Sequence, residues 1–285
     1  MPRLGAHLSI AGGVWRAVER ARALGCECLQ IFVKPPRNWL LPELADRAVH
    51  RFRAAADEAG LRPVFAHASY LPNPASPEPA LWQRSLACLL AEWDRTERLG
   101  LAGLVLHPGS HRGTGREAGL ARLVEALRRL ARARPRRTTP ILLETTAGAG
   151  HGLGDRLEDL ARTIEACPDG PPLGLALDTC HLWAAGYDLR SAEGLEALLA
   201  EVRRTAGLER VALVHANDAR ARRGSHLDRH EHIGRGRIGR EGFRRLLAHP
   251  ALRDLPFILE TPKRDARGRA MDPVNLRALR RLAGR

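Results

Sequence analysis

The chain has 285 residues, of which 44% are hydrophobic and 27% are charged, as is typical of a soluble globular protein. No apolar run reaches about 18 residues, so a membrane-spanning helix is not expected. The N-terminal MPRLGAHLSI lacks the long apolar stretch of a secretory signal peptide. The 5 cysteines form no C-x-x-C pair, which favours reduced thiols in a cytoplasmic protein.

The formal net charge is +14 and the sequence pI is about 11.0, which favours a polyanionic partner such as nucleic acid. Only Lys34 and Lys263 are lysines, so nearly all of the positive charge is arginine. A GC-rich genome also produces an arginine-rich protein. The charge by itself therefore favours nucleic-acid binding only slightly.

Strand-like and helix-like segments alternate along the whole chain. Strands are predicted at 4–9, 28–34, 63–68, 103–109, 141–146, 173–178, 211–216 and 256–261. Helices are predicted at 13–24, 42–60, 81–99, 116–134, 155–166, 191–205, 240–248 and 273–283, with Asp155 and Ser191 as candidate N-caps. This alternation predicts an α/β fold, a (β/α)8 TIM barrel, with a doubly wound open sheet as the alternative. Because no Pro/Ser-rich linker interrupts the pattern, residues 1–285 are expected to form a single domain.

Six of the apolar runs end in a residue that can bind a metal ion. These residues are His67, His107, Glu144, Asp178, His215 and Glu260. In a parallel barrel the carboxyl ends of all strands lie on one face, so these side chains are expected to converge. Each has an ordinary structural alternative, such as a hydrogen-bonded histidine or a carboxylate paired with arginine. Their joint placement at strand ends favours a metal site at the barrel mouth.

Three further candidates lie close to these strand ends in sequence or in the longest connection. His181 follows Asp178 by three residues, and Asp228 and His230 flank Arg229 within the connection at 217–255. In extended chain, side chains two residues apart point to the same side, so Asp228 and His230 can hold one ion. Histidine and carboxylate ligands suit zinc, manganese or iron(II), and nine of them are enough for two or three ions. Cys180 is interpreted as a packed thiol rather than a catalytic one.

Several motifs in a fixed order resemble those of one known family. They are GAHLSIAGG (5–13), HASYLPN (67–73), LVLHPGS (104–110), LLETTAG (142–148), LDTCH (177–181), HANDA (215–219), DRHEHIG (228–234) and LETP (259–262). Over essentially its whole length the chain resembles endonuclease IV, the zinc-dependent apurinic/apyrimidinic (AP) endonuclease of base excision repair.

The resemblance implies a TIM barrel that binds three zinc ions. The first zinc ion would be held by His67, His107 and Glu144. Glu144 would bridge to a second ion completed by Asp178, His215 and Glu260, and a third ion would be held by His181, Asp228 and His230. All nine positions carry the residue types of the family. Glu144 would also position the attacking water.

The resemblance also implies loops that enter DNA at the lesion. The matching residues are Arg37 in KPPRNW (34–39), and Tyr70 and Leu71 in HASYLPN. An aromatic ring and an apolar side chain can fill the space that a flipped nucleotide leaves, and an arginine can bind phosphate. The alternatives are loop packing for Tyr70 and Leu71, and a solvated surface charge for Arg37.

The implied activity is hydrolysis of the phosphodiester bond 5′ to an abasic site in duplex DNA, which leaves a 3′-hydroxyl and a 5′-deoxyribose phosphate. A monomeric, cytoplasmic enzyme that associates with the nucleoid through DNA is expected. The alternatives are a metal-dependent sugar isomerase or epimerase on a xylose-isomerase-like barrel, and a non-catalytic DNA-binding protein stabilised by zinc. The His181, Asp228 and His230 set argues against the sugar enzyme, and a carboxylate-rich ligand set argues against purely structural zinc.

Overall fold

In the computed structural model, which describes residues 1–39 and 41–285, eight parallel strands close into a barrel. These strands are β1 (Arg3–His7), β2 (Cys28–Phe32), β3 (Val64–His67), β4 (Leu104–Leu106), β5 (Ile141–Glu144), β6 (Leu173–Asp178), β7 (Val211–His215) and β10 (Pro256–Leu259). Their order around the barrel is β1-β10-β7-β6-β5-β4-β3-β2. The predicted (β/α)8 barrel is therefore confirmed, and the open doubly wound sheet is wrong.

Helices surround this barrel and cover its outer surface. They are α1 (Val14–Leu24), α2 (Asp46–Glu58), α3 (Pro79–Arg98), α4 (Arg116–Ala133), α5 (Leu157–Glu165), α7 (Ala192–Thr205), α8 (Gly239–Ala248) and α9 (Asp272–Leu282), with a short 3-10 turn at Leu208–Arg210. A further helix, α6 (Thr179–Ala185), is not part of this outer layer. No helix in the described part of the chain is long and apolar enough to cross a membrane.

The inside of the barrel is filled by one layer of apolar side chains from successive strands. The layer consists of Cys28, Phe65, Val105, Leu142, Ala176, Leu213 and Ile258. β1 contributes only Gly5, where an added Cβ would lie 2.0 Å from the Cys28 carbonyl oxygen. A glycine is needed there because the neighbouring strand approaches too closely for any side chain. A larger apolar cluster fills the space between the strands and the helices.

Two small elements that the sequence pattern did not predict lie on the carboxyl face of the barrel. Helix α6 follows β6 directly, and a two-stranded antiparallel ribbon is formed by β8 (Asp218–Ala219) and β9 (His230–Glu231). The Asp218 carboxylate accepts hydrogen bonds from the backbone amides of Gly234, Gly236 and Ile238, at 2.9–3.0 Å. These bonds fix the chain that follows β9 and so hold the ribbon against the barrel.

One of the two predicted helix caps is observed. The Ser191 hydroxyl accepts a hydrogen bond from the Gly194 amide at 3.0 Å, at the start of α7. Asp155 does not cap α5, and that prediction was wrong. The N-cap of α5 is Arg156, and the Asp155 carboxylate instead pairs with Arg116 at 2.9 Å. The ion pair takes the carboxylate away from the helix amides.

Candidate metal centre

All nine of the predicted ligand residues meet at the carboxyl face of the barrel. His67, Glu144, Asp178 and His215 end β3, β5, β6 and β7, and His107 and Glu260 directly follow β4 and β10. His181 lies in α6, while Asp228 and His230 belong to the segment that forms the ribbon. Parallel strands thus gather side chains that are far apart in sequence, as expected from their strand-end positions.

Glu144 lies at the centre of the cluster and is fully buried. Its Oε2 atom is 3.0 Å from His67 Nε2 and 2.9 Å from His107 Nε2. Its Oε1 atom is 2.9 Å from His215 Nδ1 and 3.3 Å from His181 Nδ1. Because each oxygen faces different histidines, the carboxylate lies between two groups of donor atoms and can bridge two cations.

Donor atoms of Glu144, Asp178, His215 and Glu260 form a second group, all within 4.8 Å of one another. His215 Nδ1 lies 3.4 Å from Glu260 Oε2 and 3.8 Å from Asp178 Oδ2. Asp178 also caps α6, since its Oδ1 accepts a hydrogen bond from the His181 amide at 2.8 Å. Capping fixes the orientation of this carboxylate and leaves Oδ2 facing the other donors.

His181, Asp228 and His230 are also brought together. Asp228 Oδ2 lies 3.3 Å from His181 Nε2, and Asp228 Oδ1 lies 3.2 Å from His230 Nε2. Asp178, which the sequence assigned only to the second group, also lies within 4.8 Å of the two histidine donors. The Cys180 thiol is near as well, but burial raises its pKa, which leaves it protonated and a poor ligand or nucleophile.

Hydrogen bonds to backbone and amide oxygens fix the tautomers of four histidines. Nδ1 of His67, His181 and His230 donates to the carbonyl oxygens of Ala68, Thr145 and Glu260, at 2.7, 2.8 and 3.2 Å. His215 donates instead through Nε2, to Gln30 Oε1 at 2.8 Å. In each ring the other nitrogen faces carboxylate oxygens. A lone pair directed at an anion is repulsive unless a proton or a cation lies between them, so this donor set fits metal ions.

Within the cluster, each charged group stabilises the charged form of its neighbours of opposite sign. Burial raises the pKa of Glu144, but the charges of His107 and His215 outweigh it and hold the pKa well below its ordinary value. Burial lowers the pKa of His215, but the charges of Glu260 and Glu144 raise it to about 9. The carboxylates therefore stay ionised and require positive charge beside them, from either protons or metal ions.

Two residues of the site were missed by the sequence analysis, His7 and Gln30. The Gln30 amide donates to Glu260 Oε1 at 2.6 Å and to His7 Nδ1 at 2.9 Å, while its oxygen accepts from His215. Burial lowers the pKa of His7 to about 4, so its ring is neutral. His7 ends β1, so the search for polar residues at the ends of apolar runs could have found it. The only sequence signal for Gln30 is that it is a polar residue within the apolar strand sequence CLQIF.

A cavity of about 520 Å³ opens above the cluster. Its wall includes His7, His67, His107, His181, Asp228, His230 and Glu260, together with the aromatic rings of Phe32 and Tyr70. Tyr70 is 64% exposed, and its ring centroid lies 5.2 Å from that of Phe32. Of the other predicted contact residues, Arg37 is exposed beside Pro36 on the rim, and Leu71 is half-buried.

A buried ion pair lies behind the two loops at this rim. Lys34 Nζ is 3.6 Å from Glu92 Oε1, and both side chains are 1% exposed. The lysine donates to the carbonyl oxygens of Pro35, at 3.2 Å, and Asn38. The glutamate accepts from the Ser69 amide at 3.2 Å. The pair therefore connects the loop that carries Arg37 to the loop that carries Tyr70.

Comparisons with known proteins place this site in a family. The chain matches the model of the xylose isomerase-like TIM barrels over residues 18–282. It is 45% identical over 284 residues to the probable endonuclease 4 of Methanoculleus marisnigri, and the match covers 100% of both chains. The crystal structure of endonuclease IV from Thermus thermophilus superposes with a TM-score of 0.88 at 41% identity, over 99% of each chain.

Sugar enzymes share only the architecture of this chain. A 3-keto-D-glucoside 4-epimerase from E. coli covers 100% of the chain with a TM-score of 0.67, but at 16% sequence identity. The endonuclease IV proteins match at far higher identity over the full length, and the candidate ligand clusters agree with the metal dependence of that family. The chain therefore belongs to the endonuclease IV family and is an AP endonuclease.

Proposed function

We propose that the chain hydrolyses the phosphodiester bond 5′ to an abasic site in duplex DNA with the help of three zinc ions, leaving a 3′-hydroxyl and a 5′-deoxyribose phosphate. The observation that carries the proposal is the donor set, in which hydrogen bonds fix histidine tautomers so that free ring nitrogens face carboxylates. Nitrogen and oxygen donors of this kind suit zinc.

The proposed ligand sets follow the groups of neighbouring side chains. His67, His107 and Glu144 form the first set, and Glu144, Asp178, His215 and Glu260 form the second. For the third set we propose His181, Asp228 and His230, on the basis of the contacts of 3.2 and 3.3 Å that Asp228 makes to the two rings. Bound zinc ions supply positive charge to a phosphate and make water acidic enough to ionise at a pH of about 7.

The protein itself positions the reacting groups. Glu144 has one oxygen in each of two donor groups, so it sets their separation and can accept a hydrogen bond from the attacking water. The cavity of about 520 Å³ is wide enough for a deoxyribose phosphate that has left the helix. Tyr70 and Leu71 would fill the gap in the base stack, and the exposed Arg37 would bind backbone phosphate.

A sugar isomerase or epimerase is the alternative activity. Such an enzyme must enclose a free sugar, since it has to shield the reacting carbons from water. This cavity is instead open at a rim where Tyr70 is 64% exposed. The net charge of +14 is also suited to a polyanion rather than to an uncharged sugar. We therefore favour duplex DNA as the substrate.

We further propose that residues 1–285 act as one domain and as a monomer, because all nine proposed ligands come from one barrel of one chain. A monomeric barrel leaves the whole carboxyl face open to a duplex. We place the enzyme in the cytoplasm, associated with the nucleoid through its affinity for DNA.

The direct test is incision of an end-labelled duplex that contains one abasic site. We expect a single cut on the 5′ side of the site in the presence of zinc, with a 3′ end that a DNA polymerase can extend. An intact duplex of the same sequence is the control. A cut on the 3′ side, or no cut with zinc-loaded protein, would contradict the proposal.

A further inference from the structure

A basic surface lies outside the barrel, in a groove between α8 and α9. The groove has a volume of about 670 Å³, and no carboxylate lines it within the described part of the chain. Six arginines line it: Arg235, Arg240, Arg244, Arg269, Arg277 and Arg281. All six are exposed. Guanidinium groups collected in this way repel one another unless an anion lies among them.

Four of these six arginines have no acidic partner. Other surface arginines do form ion pairs, such as Arg162 with Glu117 at 2.6 Å. In the groove, Arg244 pairs with Glu241 and Arg269 pairs with Asp265. The other four have no carboxylate within 4.0 Å among the residues that the structure describes. These are Arg235, Arg240, Arg277 and Arg281.

Helix periodicity places the arginines in two rows. Arg240 and Arg244 are four residues apart on α8, and Arg277 and Arg281 are four residues apart on α9. Side chains at i and i+4 lie on the same helix face, about 6 Å apart along the axis. Two helices that each present such a pair to a common groove form a basic channel, which Val274 also lines.

The groove is continuous with the proposed active site. A neighbouring cleft of about 750 Å³ shares Arg235 and Arg269 with the groove. Arg220, Arg264 and Arg267 also line this cleft and outnumber its two carboxylates, Glu231 and Asp265. His230, one of the proposed ligands, lines this cleft as well. Because α8 and α9 both follow loops on the carboxyl face, the basic surface begins at the site and continues down the side of the barrel.

We propose that this groove binds backbone phosphates of the duplex arm that leaves the active site on the α8–α9 side. The inference rests on the proposed function, and it adds a DNA contact away from the lesion. The groove would bind any sequence, since phosphate contacts carry no base information. It would act only when the duplex arm is long enough to reach it.

The test compares duplexes of different arm length. One abasic duplex carries arms of about 5 base pairs, or about 17 Å, and the other carries arms of about 20 base pairs, or about 68 Å. The variant replaces Arg240, Arg277 and Arg281 by Gln. The matched control replaces Arg136, Arg203 and Arg210 by Gln, which are also exposed and unpaired but do not line the groove. Both proteins lose the same charge.

We expect the groove variant to bind the long duplex about tenfold or more weakly at moderate salt, and to show a salt slope reduced by about 0.9 per lost phosphate contact. Incision of the short duplex should be unchanged, which also shows that the variant is folded. The proposal is overturned if both triple variants lose the same affinity, or if the groove variant loses as much on the short duplex as on the long one. Failure of wild-type protein to cut either duplex would instead refute the proposed function.

Discussion

The two oxygens of Glu144 face different histidines, so a change at this residue acts on two donor groups at once. The proposed ligands Glu260 and His230 are better test positions, because each belongs to only one proposed set. Glu260 is 17% exposed and His230 is 17% exposed at the barrel mouth, outside the apolar core. Their loss should affect the reaction more than the fold.

Glu260→Gln and His230→Ala are each expected to lower incision of an abasic duplex by at least about 100-fold, since even groups that only support a ligand cost about 10–100-fold. Steady-state incision rates and bound metal would be measured for both variants. His249→Ala, which removes a partly exposed histidine paired with Glu196, is the control and should cut normally. A near wild-type rate in either ligand variant would show that the residue is not required.

Tyr70→Ala is expected to weaken binding to abasic duplex more than binding to intact duplex. An aromatic stacking contact contributes about 1–3 kcal/mol, and it is available only where a nucleotide leaves the stack. Tyr70→Phe keeps the ring and should retain the selectivity. The affinities of each variant for the two duplexes would be measured from binding curves at one salt concentration. An equal loss on both would make Tyr70 a packing or phosphate-contact residue.

The histidine pKa values predict how the stability of the metal-free protein depends on pH. His215 and His230 have their pKa raised from 6.5 to about 9 by neighbouring carboxylates, against the opposing effect of burial. In chelated protein this stabilisation is fully present below pH 6.5 and is lost as the pH rises through about 9. The pKa of Glu144 and Glu260 is lowered from 4.5, so their contribution is lost as the pH falls below that value.

In the proposed ligand sets, metal ions would take the place of the protons on these histidines, so bound metal should stabilise the fold more at a pH of about 9 than at about 6. Thermal unfolding of zinc-loaded and chelated protein at the two pH values tests this expectation. The difference in unfolding temperature should grow with pH. A difference that is constant or shrinks with pH would mean that these histidines do not exchange protons for metal.

At the level of elements, the positions of the barrel strands were predicted to within a few residues, because each is a short apolar run that ends at a polar residue. Six proposed ligands could be located in this way. The elements that carry His181 and His230 could not be predicted from the sequence, because α6 has only 7 residues and β9 only 2, which is too short for a recognisable pattern. Those elements depend on tertiary bonds, such as the Asp178 cap and the amides bound by Asp218.

The buried Lys34–Glu92 pair is expected to hold the two rim loops together. Glu92→Leu alone should cost about 3–5 kcal/mol, since it leaves the lysine buried without a partner. The double variant Lys34→Met/Glu92→Leu should lose less, about 1–3 kcal/mol, because the Ser69 amide loses its acceptor and the Pro35 and Asn38 carbonyls lose the lysine donor, but no charge is left buried without a partner. Denaturant unfolding of both variants would be compared.

The double variant should also discriminate less well between abasic and intact duplex, because Ser69 adjoins Tyr70. The single variant Lys34→Met would be measured as well, and a double variant that loses the sum of the two single losses would show that the charges are not coupled. Unchanged discrimination would show that the pair supports the fold but does not position Tyr70.

Over the whole molecule, the alternation of strands and helices predicted an α/β fold but left a doubly wound open sheet as the alternative. The six candidate ligands at strand ends favoured the closed barrel, because a barrel directs its strand ends to one site. The positive charge was a weak guide by itself. In the folded chain many arginines are paired with carboxylates, and the unpaired ones include a group in the α8–α9 groove. Which arginines remain unpaired is decided by packing, so the sequence could not show it.

Stoichiometric reconstitution tests the central claim most directly. Chelated protein would be titrated with zinc while bound metal and incision of a single-site abasic duplex are measured together. We predict that activity reaches its plateau at about three zinc ions per chain, from nine ligands at three or four per ion. Full activity with one ion per chain, or incision that persists in fully chelated protein, would contradict the trinuclear site.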